Sequence, residues 1–260
     1  MAKKLCFILG AGGAKGIAHI GFLKAMEEAN IKPDCIAGCS MGAVVGACYC
    51  NGVSVEEMKS VADRMRMKDI ADLNIAPFNK KSLFRSVKMR AKVKSLLGNV
   101  TFDELKIPFE CIATDIVTGK IITLNKGSVE EAVSASAAIP TIFRPIEKEG
   151  MELVDGGILM RLPFASAKHF KADVSVAVDV IGKLTPFKPT RSLLSQALRV
   201  IEVTDCFVSH KTASYYKPNV LVLPDTSEMS QFKVEKLDYA FDAGYNAGKE
   251  KVDEIKRLLD

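Results

Sequence analysis

Lys4-Leu5-Cys6-Phe7-Ile8-Leu9-Gly10-Ala11-Gly12-Gly13-Ala14-Lys15-Gly16 and, further on, Asp34-Cys35-Ile36-Ala37-Gly38-Cys39-Ser40-Met41-Gly42 share one form. Each is a short apolar run that ends in glycines and leads into a helix-compatible segment. A run without polar alternation suits a strand covered on both faces. Ile17 to Ala29 predicts a helix, closed by Asn30 before Pro33. Ala43 to Tyr49 predicts a second helix, of small residues. Strand, turn and helix twice in succession indicate a parallel α/β sheet.

The pattern extends outward. Ser54-Val55-Glu56-Glu57, Thr101-Phe102-Asp103-Glu104 and Ser128-Val129-Glu130-Glu131 are capping-box patterns. The first predicts a helix to about Met67, and the third a helix ending at Ile139, before Pro140. Phe109–Thr114 and Lys120–Leu124 predict strands around a turn at Thr118-Gly119. Glu152-Leu153-Val154 predicts a short strand running into Asp155-Gly156-Gly157, and Asp173–Val180 an apolar one. Ser192–Tyr216 and Tyr239–Leu259 predict helices, with a strand at Asn219–Leu223 between them. There is no repeat, linker or low-complexity tract. The expectation is one α/β domain over residues 1–260, with a mainly parallel central sheet and helices on both faces.

The 260 residues are 48% hydrophobic and 26% charged. That excludes a disordered or fibrous chain. No apolar run approaches the ~18 residues of a membrane span. Leu5 to Leu9, behind Lys3 and Lys4, is too short for a signal-peptide core. The expected location is cytoplasmic, with membrane contact only from one side. The seven cysteines sit mostly inside apolar runs, as core residues in a reducing compartment. His19, His169 and His210 lie far from Cys48 and Cys50, so no zinc-ligand spacing exists. No Asp/Asn-rich calcium loop is present. Neither a metal nor a cofactor is expected.

Gly38-Cys39-Ser40-Met41-Gly42 has the form G-x-S-x-G. A sharp strand-to-helix turn exposes the serine hydroxyl, and the glycines remove Cβ atoms that would clash. Chance supplies this pattern in roughly a tenth of chains this long. Context therefore decides, and here it lies between a predicted strand and a predicted helix. The plain alternative is a turn with an inert serine.

The Gly10–Gly16 loop admits three readings. A dinucleotide fingerprint fails, because Lys15 stands at the third glycine position and no acidic residue ends the second strand. A phosphate loop fails, because Lys15 lies between Ala14 and Gly16. An oxyanion hole of backbone N–H groups at a helix N-terminus fits best. This loop and the Ser40 turn would then open on the same carboxyl edge of the sheet.

A nucleophilic serine needs a base. His19 lies about one turn into the first helix, where packing is the usual role. His169 and His210 have no glycine-rich context. Asp155 ends a strand and precedes two glycines, which puts a carboxylate on a tight turn. Asp-Gly-Gly is also a common plain turn.

Together these elements resemble the patatin-like phospholipase family. Gly10-x-Gly12-x-Ala14-Lys15-Gly16-x-x-His19-x-Gly21 matches its oxyanion loop and first helix. Gly38-x-Ser40-x-Gly42 matches its nucleophile elbow, and Asp155-Gly156-Gly157 its D-G-[GA] element. Ser136-Ala137-Ala138-Ile139-Pro140 and Phe143-Arg144-Pro145 resemble a further block before that Asp. The resemblance spans residues 10–163 and is nearest to short bacterial members. It implies a three-layer α/β/α fold and a Ser40–Asp155 dyad without histidine. Backbone N–H groups around Gly12, Gly13 and Ala14 would hold the oxyanion. Family members often carry Asn-x-Pro after D-G-G; here the residues are Arg161-Leu162-Pro163. A carboxylate is a weak base against a hydroxyl, so Asp155 is expected to be desolvated and its pKa raised.

The resemblance implies lipid acyl esters as substrates. The alternatives are a thioesterase or carboxylesterase acting on soluble acyl groups, and a catalytically weak lipid-binding regulator on the same fold. Residues 79–95 hold seven basic residues and no acidic one: Lys80, Lys81, Arg85, Lys88, Arg90, Lys92 and Lys94. Leu83, Phe84, Val87, Ala91 and Leu96 share a helical face there. That is compatible with peripheral contact to an anionic membrane, with a lid, or with an ordinary surface helix, the commonest case. Aromatic residues are too sparse for nucleic-acid binding.

Overall fold

The computed structural model describes residues 3–70, 87–182, 184 and 192–260. Strand β1 (Leu5–Leu9) is buried along its whole length, as its apolar run requires. A 3-10 turn, Gly13–Ile17, leads into helix α1 (Ala18–Glu28). The predicted helix thus starts earlier, as a tighter coil. Strand β2 (Cys35–Gly38) and helix α2 (Met41–Asn51) complete the second unit. Helix α3 (Val55–Arg64) is capped by Ser54, whose hydroxyl accepts the Glu57 N–H at 3.1 Å. It ends before the predicted Met67, where a short helix α4 (Met67–Ile70) begins.

Helix α5 (Val87–Leu97) is followed by strands β3 (Phe109–Asp115) and β4 (Lys120–Leu124). Helix α6 (Val129–Ser136) stops three residues before the predicted end at Ile139. The chain turns there so that the Ala138 carbonyl can accept the Asp155 N–H at 2.9 Å. Strand β5 (Ile146–Lys148), missed in the sequence, forms a hairpin with β6 (Met151–Asp155). Helix α7 (Phe164–His169), also missed, precedes β7 (Val174–Val178). Helix α8 (Leu193–Tyr216), strand β8 (Val220–Val222) and helix α9 (Leu237–Leu259) end the chain.

The sheet order is β5-β6-β3-β2-β1-β7-β8, with β4 also on β3. Five neighbouring strands, β3-β2-β1-β7-β8, run parallel, while β4, β5 and β6 are antiparallel additions. Helices cover both faces. Phe7 and Leu9 pack with α1, α2 and α9, whereas Cys6 and Ile8 pack with α7 and the end of α8. Phe7 and Phe22 meet edge to face at 5.0 Å. Each such fully buried side chain stabilises the fold by roughly 1.5–3 kcal/mol. Six cysteines are buried as free thiols, and Cys206 is half-buried. Among the described residues no helix is long and apolar enough to cross a membrane.

The register of β3 positions the site. β4 pairs with Cys111 to Asp115, so β2 (opposite Phe109 to Cys111) and β6 (opposite Ala113 to Asp115) must share the other edge. β2 runs up that edge to Gly38, and β6 runs down it to Asp155. The two strands point at one another across Ile112, and the turns that leave them converge.

Of the basic stretch, residues 79–86, with Lys80, Lys81, Leu83, Phe84 and Arg85, lie outside the described residues. The remainder corrects the expected face. α5 buries Met89, Val93 and Leu97, while Val87 and Ala91 are exposed. Both stripes have i, i+4 spacing, but Met, Val and Leu offer far more apolar area than Val and Ala. Lys88, Arg90 and Lys94 stay exposed, and Arg90 pairs with Glu130.

Candidate active site

Ser40 sits between the end of β2 and the start of α2 with φ 55° and ψ −123°. A non-glycine residue held there stores about 1–3 kcal/mol of strain, and such residues persist only where their surroundings impose them. Those surroundings are mostly main chain. A Cβ on Gly42 would lie 2.2 Å from the Leu9 carbonyl oxygen, so only glycine lets α2 press onto β1. Gly38 is equally confined beneath Ala43. The Ser40 N–H donates to Ser136 Oγ at 3.0 Å, and that hydroxyl donates to the Ile112 carbonyl at 2.7 Å. Ser136, quoted in the sequence only as part of a block, is therefore the clamp on the Ser40 turn.

Asp155 is the last residue of β6. Its Oδ1 accepts the Gly157 N–H at 2.8 Å and a weak hydrogen bond from the Cys39 thiol at 3.8 Å. Burial raises its pKa from 3.8 to about 6, against the lowering effects of the Ser40 hydroxyl, the Gly157 N–H and the Arg161 charge. Asp205 adds to the rise. Ser40, Asp155, Gly12 and Gly13 line one cavity of about 40 Å³.

The Gly10–Gly16 loop closes the other side. The Gly10 N–H donates to Val178, and its carbonyl accepts His19 Nε2–H at 2.8 Å. Burial holds His19 down to about pKa 4, so it is a neutral strut beneath the loop. Gly13 has φ +52°, a conformation suited to glycine, and a Cβ there would strike the Gln231 carbonyl at 2.3 Å. The Gly12 and Gly13 N–H groups have no acceptor among the described residues. The expected third donor, Ala14, is already committed: its N–H donates to the Gln231 carbonyl at 2.9 Å. Lys15 is not among the residues lining this cavity. It is buried, and desolvation lowers its pKa despite the nearby Glu202 and Asp179. Gly16 lies under Met41, and Gly156 packs against Ile112.

Arg161 stands where the resemblance to the family leads one to expect Asn. It is buried, pairs with Asp205 Oδ1 at 2.7 Å, and donates to the Ala11 carbonyl at 2.8 Å. Gln231 Nε2 donates to Asp205 Oδ2 at 3.0 Å. One carboxylate on α8 thus fixes two residues that grip the glycine loop at both ends. Sequence reasoning missed Asp205 and Gln231, which no motif marks.

A second, larger cavity of about 330 Å³ opens beside Ser40. Met41, Val44, Met89, Val93, Leu96, Phe143, Leu198 and Phe232 give it an apolar wall, and Lys92 is the charged residue among those lining it. Ser40 and Gly13 belong to both cavities, so Ser40 stands where a cleft lined by Asp155, Arg161 and Asp205 meets an apolar chamber. Among the described residues no group of His, Cys, Asp and Glu could hold a metal ion.

Comparison with known proteins agrees with this architecture. An uncharacterized NTE family protein of Mycobacterium tuberculosis is 36% identical over 181 residues, covering 70% of this chain and 50% of the relative. A lysophospholipase, NTE1, of Coccidioides immitis is 28% identical over 292 residues, covering 98% of this chain and 18% of the relative. The chain therefore spans about half the length of the mycobacterial protein. Among solved structures, VipD from Legionella pneumophila superposes with a TM-score of 0.61 at 15% identity, over 97% of this chain and 67% of that one. Human GIVD cytosolic phospholipase A2 superposes with a TM-score of 0.54 at 10% identity, over 99% of this chain and 59% of that one. The sequence profile of the patatin-like phospholipase family matches residues 7–168, a span that holds the glycine loop, the Ser40 turn and Asp155. The chain belongs to the patatin-like phospholipase family.

Proposed function

We propose that this protein is a serine acyl hydrolase that cleaves lipid acyl esters through Ser40 and Asp155. The observation that carries the reading is the junction at Ser40. A strained, buried serine shares a small cleft with a carboxyl group of raised pKa, and the same serine lines an apolar chamber large enough for an acyl chain.

In the proposed reaction Ser40 Oγ attacks the ester carbonyl carbon as its proton passes to Asp155. The negative charge that develops on the carbonyl oxygen is met by the Gly12 and Gly13 N–H groups. The carbon–oxygen bond to the leaving alcohol breaks, and Asp155 returns the proton to that oxygen. Water, deprotonated by Asp155, then attacks the acyl-Ser40 carbonyl; the bond from that carbon to Ser40 Oγ breaks, Asp155 returns the proton to Oγ, and the carboxylic acid leaves. A carboxyl near pKa 6 is a stronger base than an exposed Asp and is still mostly ionised at pH 7. The apolar chamber favours long acyl chains over small soluble ones.

The test is covalent labelling with a fluorophosphonate, read by intact mass and peptide mapping. One adduct on Ser40, absent in Ser40→Ala and much slowed in Asp155→Asn, is the expected result. A folded wild type that takes no label and cleaves no ester would overturn the proposal.

A further inference from the structure

Helix α8 has two faces with different jobs. Its inward face builds the site: Leu198 lines the apolar chamber, Ile201 lines the small cleft, and Asp205 holds Arg161 and Gln231. Its outward face carries Leu193, Val200, Val203 and Phe207, at 84%, 59%, 45% and 61% exposure. Their spacing of seven, three and four residues puts them in one stripe along the helix. Scattered exposed apolar residues are ordinary, but a continuous stripe marks a contact surface.

The charges on the helix are sorted in the same way. Its two acidic residues, Glu202 and Asp205, are both buried, paired with Arg199 and Arg161. No acidic residue remains on the outward face. Lys211, whose ammonium lies 5.6 Å over the Phe207 ring, is exposed beyond the stripe, and Lys217 follows at the helix end. α8 also packs beside the Gly156–Ile158 turn, where Ile158 and Leu159 are exposed next to Asp155. The apolar surface therefore reaches the rim of the cleft.

We propose that the outward face of α8, with Ile158 and Leu159, is the surface on which the protein docks onto an anionic lipid bilayer. An apolar stripe flanked by cations and free of acids complements an interface of acyl chains and anionic headgroups. Seated there, the cleft that Ile158 and Ile201 line would face the bilayer, and a lipid would reach Ser40 without crossing bulk water. A second copy of the chain on the same face would instead cover that rim. The proposal deepens the acyl-hydrolase reading and rests on it for the meaning of docking. It places the membrane contact on α8 and not on α5, which turns Met89, Val93 and Leu97 inward.

The experiment uses the full chain, wild type and Val203→Glu/Phe207→Glu, with two kinds of vesicle. One is phosphatidylcholine alone, and the other contains a quarter phosphatidylglycerol. Binding is read by co-sedimentation, catalysis by a soluble short-chain ester, and oligomeric state by analytical ultracentrifugation. Both residues are exposed, so the variant should fold. The expected result is wild-type partition onto the anionic vesicles, about tenfold or more weaker in the variant, with soluble-ester turnover kept within about twofold. Equal partition of variant and wild type would overturn the proposal. So would a wild type that ignores both vesicles, or one that self-associates in solution through these two residues. Docking lost in the variant, in a wild type that hydrolyses no soluble ester, would uphold the surface and sink the hydrolase reading.

Discussion

The Cys39 thiol and the Gly157 N–H both donate to the same oxygen of Asp155, Oδ1, at 3.8 and 2.8 Å. They come from opposite sides of the meeting point of β2 and β6. One carboxylate oxygen is thus held by the two turns that bring Ser40 and Asp155 together. On the proposed mechanism the other oxygen is left to take the Ser40 proton.

Asp155→Asn tests that division of labour. An amide oxygen can still accept the Gly157 N–H, so the turn survives while the base is lost. Turnover should fall by about 10²–10⁴, with ester binding little changed. The wild-type rate should fall on the acid side with an apparent pKa near 6, because only the ionised carboxylate accepts a proton. Steady-state kinetics from pH 4.5 to 8 would show both effects. A wild-type acid limb centred near pH 4 would contradict the desolvated base.

The same residue should cost stability. Its folded pKa is raised from 3.8 to about 6, so below pH 3.8 both states hold the proton and nothing is lost. As pH climbs through that window, the unfolded chain ionises first and stability falls. At pH 7 the penalty is on the order of 2–3 kcal/mol. Asp155→Asn should therefore melt higher than wild type at pH 7, with the gap closing by pH 4. Thermal melts at the two pH values measure it.

Ser136→Ala removes the acceptor for the Ser40 N–H and the donor to the Ile112 carbonyl. Each buried group left unpaired costs about 1–3 kcal/mol. The variant should unfold at lower denaturant, and kcat should drop more than KM rises, because the Ser40 turn is no longer clamped. Ser136→Thr, which keeps a hydroxyl, should recover part of both.

Asp205→Ala leaves Arg161 buried without its carboxylate. Breaking a buried pair from one side costs about 3–5 kcal/mol. Asp205→Asn keeps one acceptor oxygen, enough to hold Arg161 but not Gln231 as well, and should lose less. If the pair orders the glycine loop, fluorophosphonate labelling of Ser40 should slow in both variants, in the same rank order as stability.

Val44 lines the apolar chamber one turn beyond Ser40. Val44→Phe should shorten the usable length of that chamber. Hydrolysis of long acyl esters should fall about tenfold or more, while short esters are cleaved at near the wild-type rate. Uniform loss across chain lengths would place the acyl chain elsewhere.

Much of this was readable before any coordinates. Lys4 to Gly16 and Asp34 to Gly42 carried strand, turn and helix in their composition alone, and Ser54 and Ser128 announced their helices by capping. What stayed hidden depends on partners far apart in the chain. The direction of β6 is set by its pairing with β3, which no local pattern encodes. The capture of the Ala14 N–H by the Gln231 carbonyl removed an expected oxyanion donor for the same reason. Arg161 could be noticed as a departure from Asn-x-Pro, but its tie to Asp205 needed the fold. The buried face of α5 was misjudged because two stripes share one spacing and only volume separates them.

Gly42 presses against the Leu9 carbonyl with no side chain between them. The attitude of Ser40 is therefore fixed by main chain against main chain. Residues that shape the chamber, such as Val44, Leu96 and Phe143, can be exchanged without disturbing that contact. On the proposed mechanism, reactivity and substrate range are in this sense separate modules, and a lineage could retune the second many times while the first stands still.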